Sequence, residues 1–261
     1  MEDYYGYGDD GGAYYSYDVP PTPIVPAAPT IPMVLSPLDF PAASTPDPVF
    51  CTLPQKGAYI LEKHTLTPLS QTSGRKIPVP RDIVDVLSGA EQILLLSPTA
   101  IWDFSSFKAK LLTKKGEECR YFAGSDGVIF QTRMLDKETE IQQWDAKQKK
   151  FVPLTLYPGE AGKVTSNQNG EVFVMDGDCI YRFERNAWKK VYENEDDIIF
   201  DILCFENRLL AIDSQAVRII QEDARGELFY KQGGQQLLYD GNDYFIIDNR
   251  TVYLLSTNTN N

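Results

Sequence analysis

The chain has 261 residues, 43% of them hydrophobic and 12% aromatic, enough for one large repeat domain with a sizeable core. A formal net charge of −12 excludes a basic footprint for nucleic acid and disfavours an anionic membrane surface. The cysteines Cys51, Cys119, Cys179 and Cys204 form no CxxC pair, and His64 is the single histidine, so a zinc site of usual spacing is not expected and the thiols read as reduced.

The N-terminus opens on MEDYY, without the basic and apolar regions of a secretory signal, and no apolar run approaches the ~18 residues of a membrane span. The expected location is therefore intracellular, cytoplasmic or nuclear. Residues 1–18 alternate Tyr4, Tyr5, Tyr7, Tyr14, Tyr15 and Tyr17 with Gly and Asp. They show neither helix nor strand periodicity, and the glycines make ordering costly. Pro20, Pro23, Pro26, Pro29 and Pro32 follow at a strict spacing of three. Polyproline II has three residues per turn, so these prolines form one ridge on a stiff rod of roughly 40 Å. Residues 1–48 thus read as a disordered tail: a spacer, or linear motifs for a partner's aromatic-lined groove.

From about residue 49, short apolar runs alternate with polar residues between Asp, Gly and Asn turns, the pattern of strands and hairpins. The clearest stretch is Gly170 to Tyr192, with an apolar run Val172 to Met175, a turn at Asp176-Gly177-Asp178, alternation at Cys179, Tyr181 and Phe183, and a further run from Trp188. The same phrase recurs around Ala58, Ala100, Glu140, Cys179, Ala216 and Thr251 at spacings of 42, 40, 39, 37 and 35. In the last three units Asp176, Asp213 and Asp248 precede that position by three, where an Asp side chain bonds the turn backbone. About four strands per unit, with no long helix, predicts an all-β chain.

Four short strands per repeat of this length resemble a β-propeller blade. Gln143 to Leu154, QWDAKQKKFVPL, resembles the second half of a kelch-type blade, although the Gly-Gly pair of kelch repeats is absent. The resemblance implies a five- or six-bladed propeller over residues 49–261, preceded by the tail. Closure of the ring predicts that Gly57–Lys63, or its neighbour Val49–Leu53, lies beside or packs against Thr251–Ser256, which otherwise leaves a bare sheet edge. Trp102, Trp144 and Trp188 fall in successive units and are expected between blades.

The search for chemistry returns little. One histidine builds no Ser-His-Asp arrangement, and no GxSxG or phosphate loop occurs. Asp176-Gly177-Asp178 and Asp240-Gly241-Asn242-Asp243 are too short for calcium loops and are explained by turns. Glu193, Glu195, Asp196 and Asp197 form an acidic cluster, a candidate surface for a basic protein partner. The expected function is a non-catalytic protein–protein interaction module with no cofactor, carrying the Tyr and Pro motifs as a second contact. A lectin-like, ligand- or glycan-binding propeller is the alternative. An enzyme using carboxylates in the central channel is the third and least expected reading.

Overall fold

A computed structural model describes residues 33–37, 48–53, 56–69, 75–90, 92–124, 126–205, 208–240, 243–249 and 251–257. The described strands form six antiparallel sheets of four, each one blade. The chain enters through β1 (Met33–Pro37) and then builds blade I from β2 (Val49–Leu53), β3 (Gly57–Glu62), β4 (Thr65–Pro68) and β5 (Ile77–Pro78). Blade II holds β6 (Asp85–Ser88), β7 (Ile93–Leu96), β8 (Ala100–Asp103) and β9 (Lys110–Lys114). Blade III holds β10 (Cys119–Ala123), β11 (Ile129–Leu135), β12 (Glu138–Asp145) and β13 (Lys150–Tyr157). Blade IV holds β14 (Lys163–Ser166), β15 (Val172–Asp176), β16 (Cys179–Glu184) and β17 (Ala187–Glu193). Blade V holds β18 (Asp201–Phe205), β19 (Arg208–Ile212), β20 (Val217–Ile220) and β21 (Gly226–Tyr230). Blade VI holds β22 (Gln236–Tyr239), β23 (Tyr244–Asp248) and β24 (Thr251–Thr257), and β1 completes it. The fold is thus an all-β propeller of six blades, which settles the five-or-six ambiguity.

The ring closes through a strand that the sequence reading had placed in the tail. Met33 lies opposite Thr257 and Pro37 opposite Tyr253, so β1 is the outer strand of blade VI. Gly57–Glu62 does not hydrogen-bond to β24. It packs across the closing seam instead, where Phe50, Ala58 and Ile60 share a buried cluster with Phe245, Ile247 and Val252. Ala58 marks the second strand of its blade, whereas the other repeat positions fall in or beside third strands. The tyrosines and prolines singled out between Tyr4 and Pro32 lie outside the described residues.

Each seam between blades has its own core, and the described buried side chains fall into six clusters, one per seam. Strand alternation explains how. On the inner strands, the second residue, or the third in β10 (Phe50, Val86, Tyr121, Val164, Ile202, Leu237), joins the cluster shared with the preceding blade. The residue after it (Cys51, Leu87, Phe122, Leu203, Leu238) joins the cluster shared with the following one. A period of two turns alternate side chains to opposite faces of each sheet, so every blade is buried on both sides.

The tryptophans key blades together. Trp102 of blade II packs in the cluster of seam I/II. The Trp144 indole N–H of blade III donates to Gln92 Oε1 of blade II at 2.5 Å, and that of Trp188 in blade IV to the Leu156 carbonyl of blade III at 2.7 Å. Gln143 to Leu154 is the hairpin of β12 and β13: Asp145 Oδ1 accepts the amides of Lys147 and Gln148, and Trp144 meets Phe151 edge-on at 5.0 Å. Turn chemistry and aromatic packing account for this segment, and the kelch-type resemblance does not extend beyond the blade architecture.

Candidate functional site

The inner strands β2, β6, β10, β14, β18 and β22 neighbour one another in a closed ring around a cavity of about 1040 Å³. Their starts and ends define two mouths. When the blades are aligned on their first hairpins, the residues at the first mouth are Val49, Asp85, Arg120, Lys163, Asp201 and Gln236. Alternation aims this position at the following blade, and four of the six reach it. Arg120 Nη2 bonds Glu160 Oε1 at 2.9 Å, just before β14. Lys163 pairs with Asp201. Asp201 Oδ2 accepts the Leu237 amide at 2.9 Å, and Gln236 Nε2 donates to the Phe50 carbonyl at 3.4 Å. An inner strand has a bare edge toward the axis, and the last two contacts give unpaired backbone groups there, the Leu237 amide and the Phe50 carbonyl, their partners.

Asp85 breaks the series. Among the described residues, the hydrogen bond to its carboxylate comes from its own neighbour, the Val86 amide to Oδ1 at 2.7 Å. Burial pushes this carboxyl above the ordinary range. The Val86 amide and the positive charges of Lys115 and Lys163 pull it back in part. Asp85 and Lys163 both line the cavity, as does Tyr121, whose phenol burial pushes up to about 12 and whose hydroxyl accepts the Gly116 amide at 3.2 Å. One mouth therefore holds a carboxylate biased toward its protonated form and an ammonium held in place by Asp201. A displaced carboxyl in a cavity beside a cation is the arrangement acid–base chemistry requires.

The second mouth is tied together more tightly. Ser88 of blade II donates back to the Thr52 carbonyl of blade I, and Ser166 of blade IV to Asp126 Oδ1 of blade III at 2.5 Å. Loops of blades II and III touch through the Ala90 amide and the Gly127 carbonyl at 3.2 Å. Gly127 has φ 82, and a Cβ there would stand 2.1 Å from the Ala90 nitrogen, so only glycine fits this approach. The Cys204 thiol is pushed up to about 12 and that of Cys51 further still, both chiefly by burial, so neither is a ready nucleophile.

The acidic cluster expected to meet a partner lies away from the cavity. Glu193 pairs with Lys190, and Asp197 accepts the amides of Ile198 and Ser214, while Glu195 and Asp196 face solvent. Among the described residues, Asp178, Cys179 and Glu193 place ligand atoms within 4.8 Å of one another, on the outer part of blade IV. The Lys190 contact already engages one of these three. His64 is exposed beside the turn between β3 and β4.

Residue reasoning missed Asp85, Lys163 and Asp201, yet one signal was present. Residues 83–87 read IVDVL and residues 199–203 read IFDIL, the same phrase three blades apart, with Asp opening an apolar strand each time. A charge at the start of a buried inner strand marks the axis of a propeller.

No protein-family model and no curated protein matches this sequence. Solved structures do. A luciferin-regenerating enzyme superposes with a TM-score of 0.62 at 10% identity, over 87% of this chain and 96% of its own. A gluconolactonase from Xanthomonas campestris gives 0.55 at 10% identity, over 77% and 82%. TolB from Acinetobacter baumannii gives 0.51 at 14% identity, over 78% and 61%. At these identities the likeness is one of fold. It nevertheless corrects the expectation of a non-catalytic interaction module or lectin-like binder, and with it the inference that a chain with one histidine is not an enzyme. Two of these three proteins are named as enzymes, so the chain is similar in fold to a gluconolactonase and a luciferin-regenerating enzyme.

Proposed function

We propose that this propeller is a hydrolase of cyclic or open esters, with its reaction at the first mouth of the central channel. The observation that carries the reading is Asp85, a buried carboxyl displaced upward that lines the same cavity as Lys163 and feels its charge. The similarity to a gluconolactonase supports a lactone as the substrate class. In the reaction, the Asp85 carboxylate takes a proton from water as the water oxygen bonds to the ester carbonyl carbon. The carbonyl electron pair moves onto oxygen, and the Lys163 ammonium stabilises the resulting charge. The C–O bond to the leaving alkoxide then breaks, and Asp85 returns its proton to that alkoxide, giving a hydroxy acid. A carboxyl displaced toward neutral pH does both jobs better than an ordinary one, because base strength and protonation state are then matched.

Lactone opening followed by pH-stat tests this reading. Asp85→Asn keeps the shape and removes the base, and is expected to lower kcat by about 10²–10⁴-fold. Lys163→Met removes a charge that lowers the Asp85 pKa, so the acid limb of the pH–rate profile moves to higher pH. A profile unmoved by Lys163→Met, or full activity in Asp85→Asn, sinks the assignment.

A further inference from the structure

The residue before each position of the charged ring forms a collar above it. In chain order the collar is Pro48, Val84, Cys119, Gly162, Phe200 and Gln235, one from each blade. Five of the six offer no amide, hydroxyl or charged side-chain group, and the Cys119 sulfur is already bonded by Gln131 Nε2 at 3.3 Å and the Glu117 carbonyl at 3.4 Å. Backbone donors are equally unavailable. The amides of Val84, Gly162, Phe200 and Gln235 are turned into their own sheets, bonding the carbonyls of Leu96, Met175, Ile212 and Ile247 at 2.7–2.8 Å. Proline supplies none. Two large apolar side chains stay uncovered on this collar, Val84 at 44% and Phe200 at 42% exposure. Phe200 lines the cavity, and alternation leans it to seam IV/V, the seam into which Lys163 points.

Resting on the hydrolase reading, we infer that this collar holds the apolar part of the substrate, and that the substrate is an aryl or alkyl lactone or ester rather than a polyol lactone. A polyol brings several hydroxyls whose water partners must be replaced, and apart from Gln235 the collar has almost nothing to replace them with. An aryl or alkyl group instead covers Phe200, which lines the cavity, and gains the free energy of apolar burial. Specificity at this mouth is therefore set by Phe200, while Asp85 and Lys163 set the reaction.

The test compares dihydrocoumarin, an aryl lactone, with glucono-δ-lactone, and adds the non-hydrolysable lactam of the aryl compound as a binding probe in calorimetry. The wild-type chain is expected to prefer dihydrocoumarin by at least about tenfold in kcat/KM. Phe200→Ser should lower the aryl-to-polyol ratio about tenfold and weaken lactam binding, with Phe200→Asn as the second variant at the same position. Turnover of glucono-δ-lactone in preference to dihydrocoumarin overturns the collar assignment and leaves the hydrolase reading standing. Lactam binding weakened by Phe200→Ser, without hydrolysis of either lactone, keeps the apolar subsite and removes the reaction. Absence of lactam binding together with an unchanged ratio in both variants overturns the inference.

Discussion

Asp85 is held where its charged form is disfavoured, and that bears on stability as well as on chemistry. Its folded pKa lies above its unfolded value, so the folded state holds the proton more firmly than the unfolded chain does. The stabilising contribution is present below the unfolded pKa and is lost as pH rises through the folded one. Above its folded pKa the chain therefore carries a desolvated charge, and Asp85→Asn relieves it. The variant should melt about 2–4 °C higher at pH 7, the shift that roughly 1 kcal/mol brings to a domain of this size, with the gain fading in acid. A lower Tm at pH 7 would show that the carboxylate holds the fold together, as Asp201 does through Leu237, and is not poised for chemistry. The tryptophans give the converse case. Trp144 is 8% exposed and bonds the preceding blade, whereas Trp188 is half-buried on an outer strand. Trp144→Ala is expected to cost about 3–5 kcal/mol and Trp188→Ala nearer 2 kcal/mol in chemical denaturation.

At the scale of elements, legibility followed hairpin chemistry. Asp213 is readable because its Oδ1 takes the amides of Gln215 and Ala216, and that turn separates two apolar strands. The same holds for the blades around Val172, Cys179 and Trp188. Blade I is harder to read, since β4 is Thr-Leu-Thr-Pro and β5 is Ile-Pro, and neither displays an alternating apolar face. Strand β1 is hidden for another reason. Met33-Val34-Leu35 sits between Pro32 and Pro37, and a strict spacing of three prolines dominates any local window. An outer strand tolerates Pro37 because its outward edge needs no donor. The site was illegible for a geometric reason: Asp85, Lys163 and Asp201 open strands of blades II, IV and V, and only ring closure sets them around one cavity. Pairing of β1 with β24 also predicts what truncation does. A chain beginning at Met33 should keep its Tm, whereas one beginning at Leu38 bares the edge from Thr251 to Thr257 and should associate through it. Light scattering on the two chains decides this, and a monomeric, equally stable chain from Leu38 would refute the role given to β1.

At the scale of the whole molecule, six seams of similar apolar content replace a single central core. The axis is left to polar side chains that bind one blade to the next in a consistent sense: Arg120 to blade IV, Lys163 to V, Asp201 to VI and Gln236 to I. The series gives way at Val49 of blade I, which has no polar side-chain group, and at Asp85 of blade II, where a carboxylate is left for other work. Closure of blade VI also sets a clock on biosynthesis. Met33 is among the first described residues to be translated and Thr257 among the last, yet the two stand opposite each other in one sheet. At about 5–20 residues per second the leading strand waits roughly 10–45 s for its partner. During that interval β1 has no native strand beside it, and the sixth seam cannot form. The finished ring protects all its blades equally, but the emerging chain does not, and the cell must shield an apolar strand until the last turn of synthesis delivers β24.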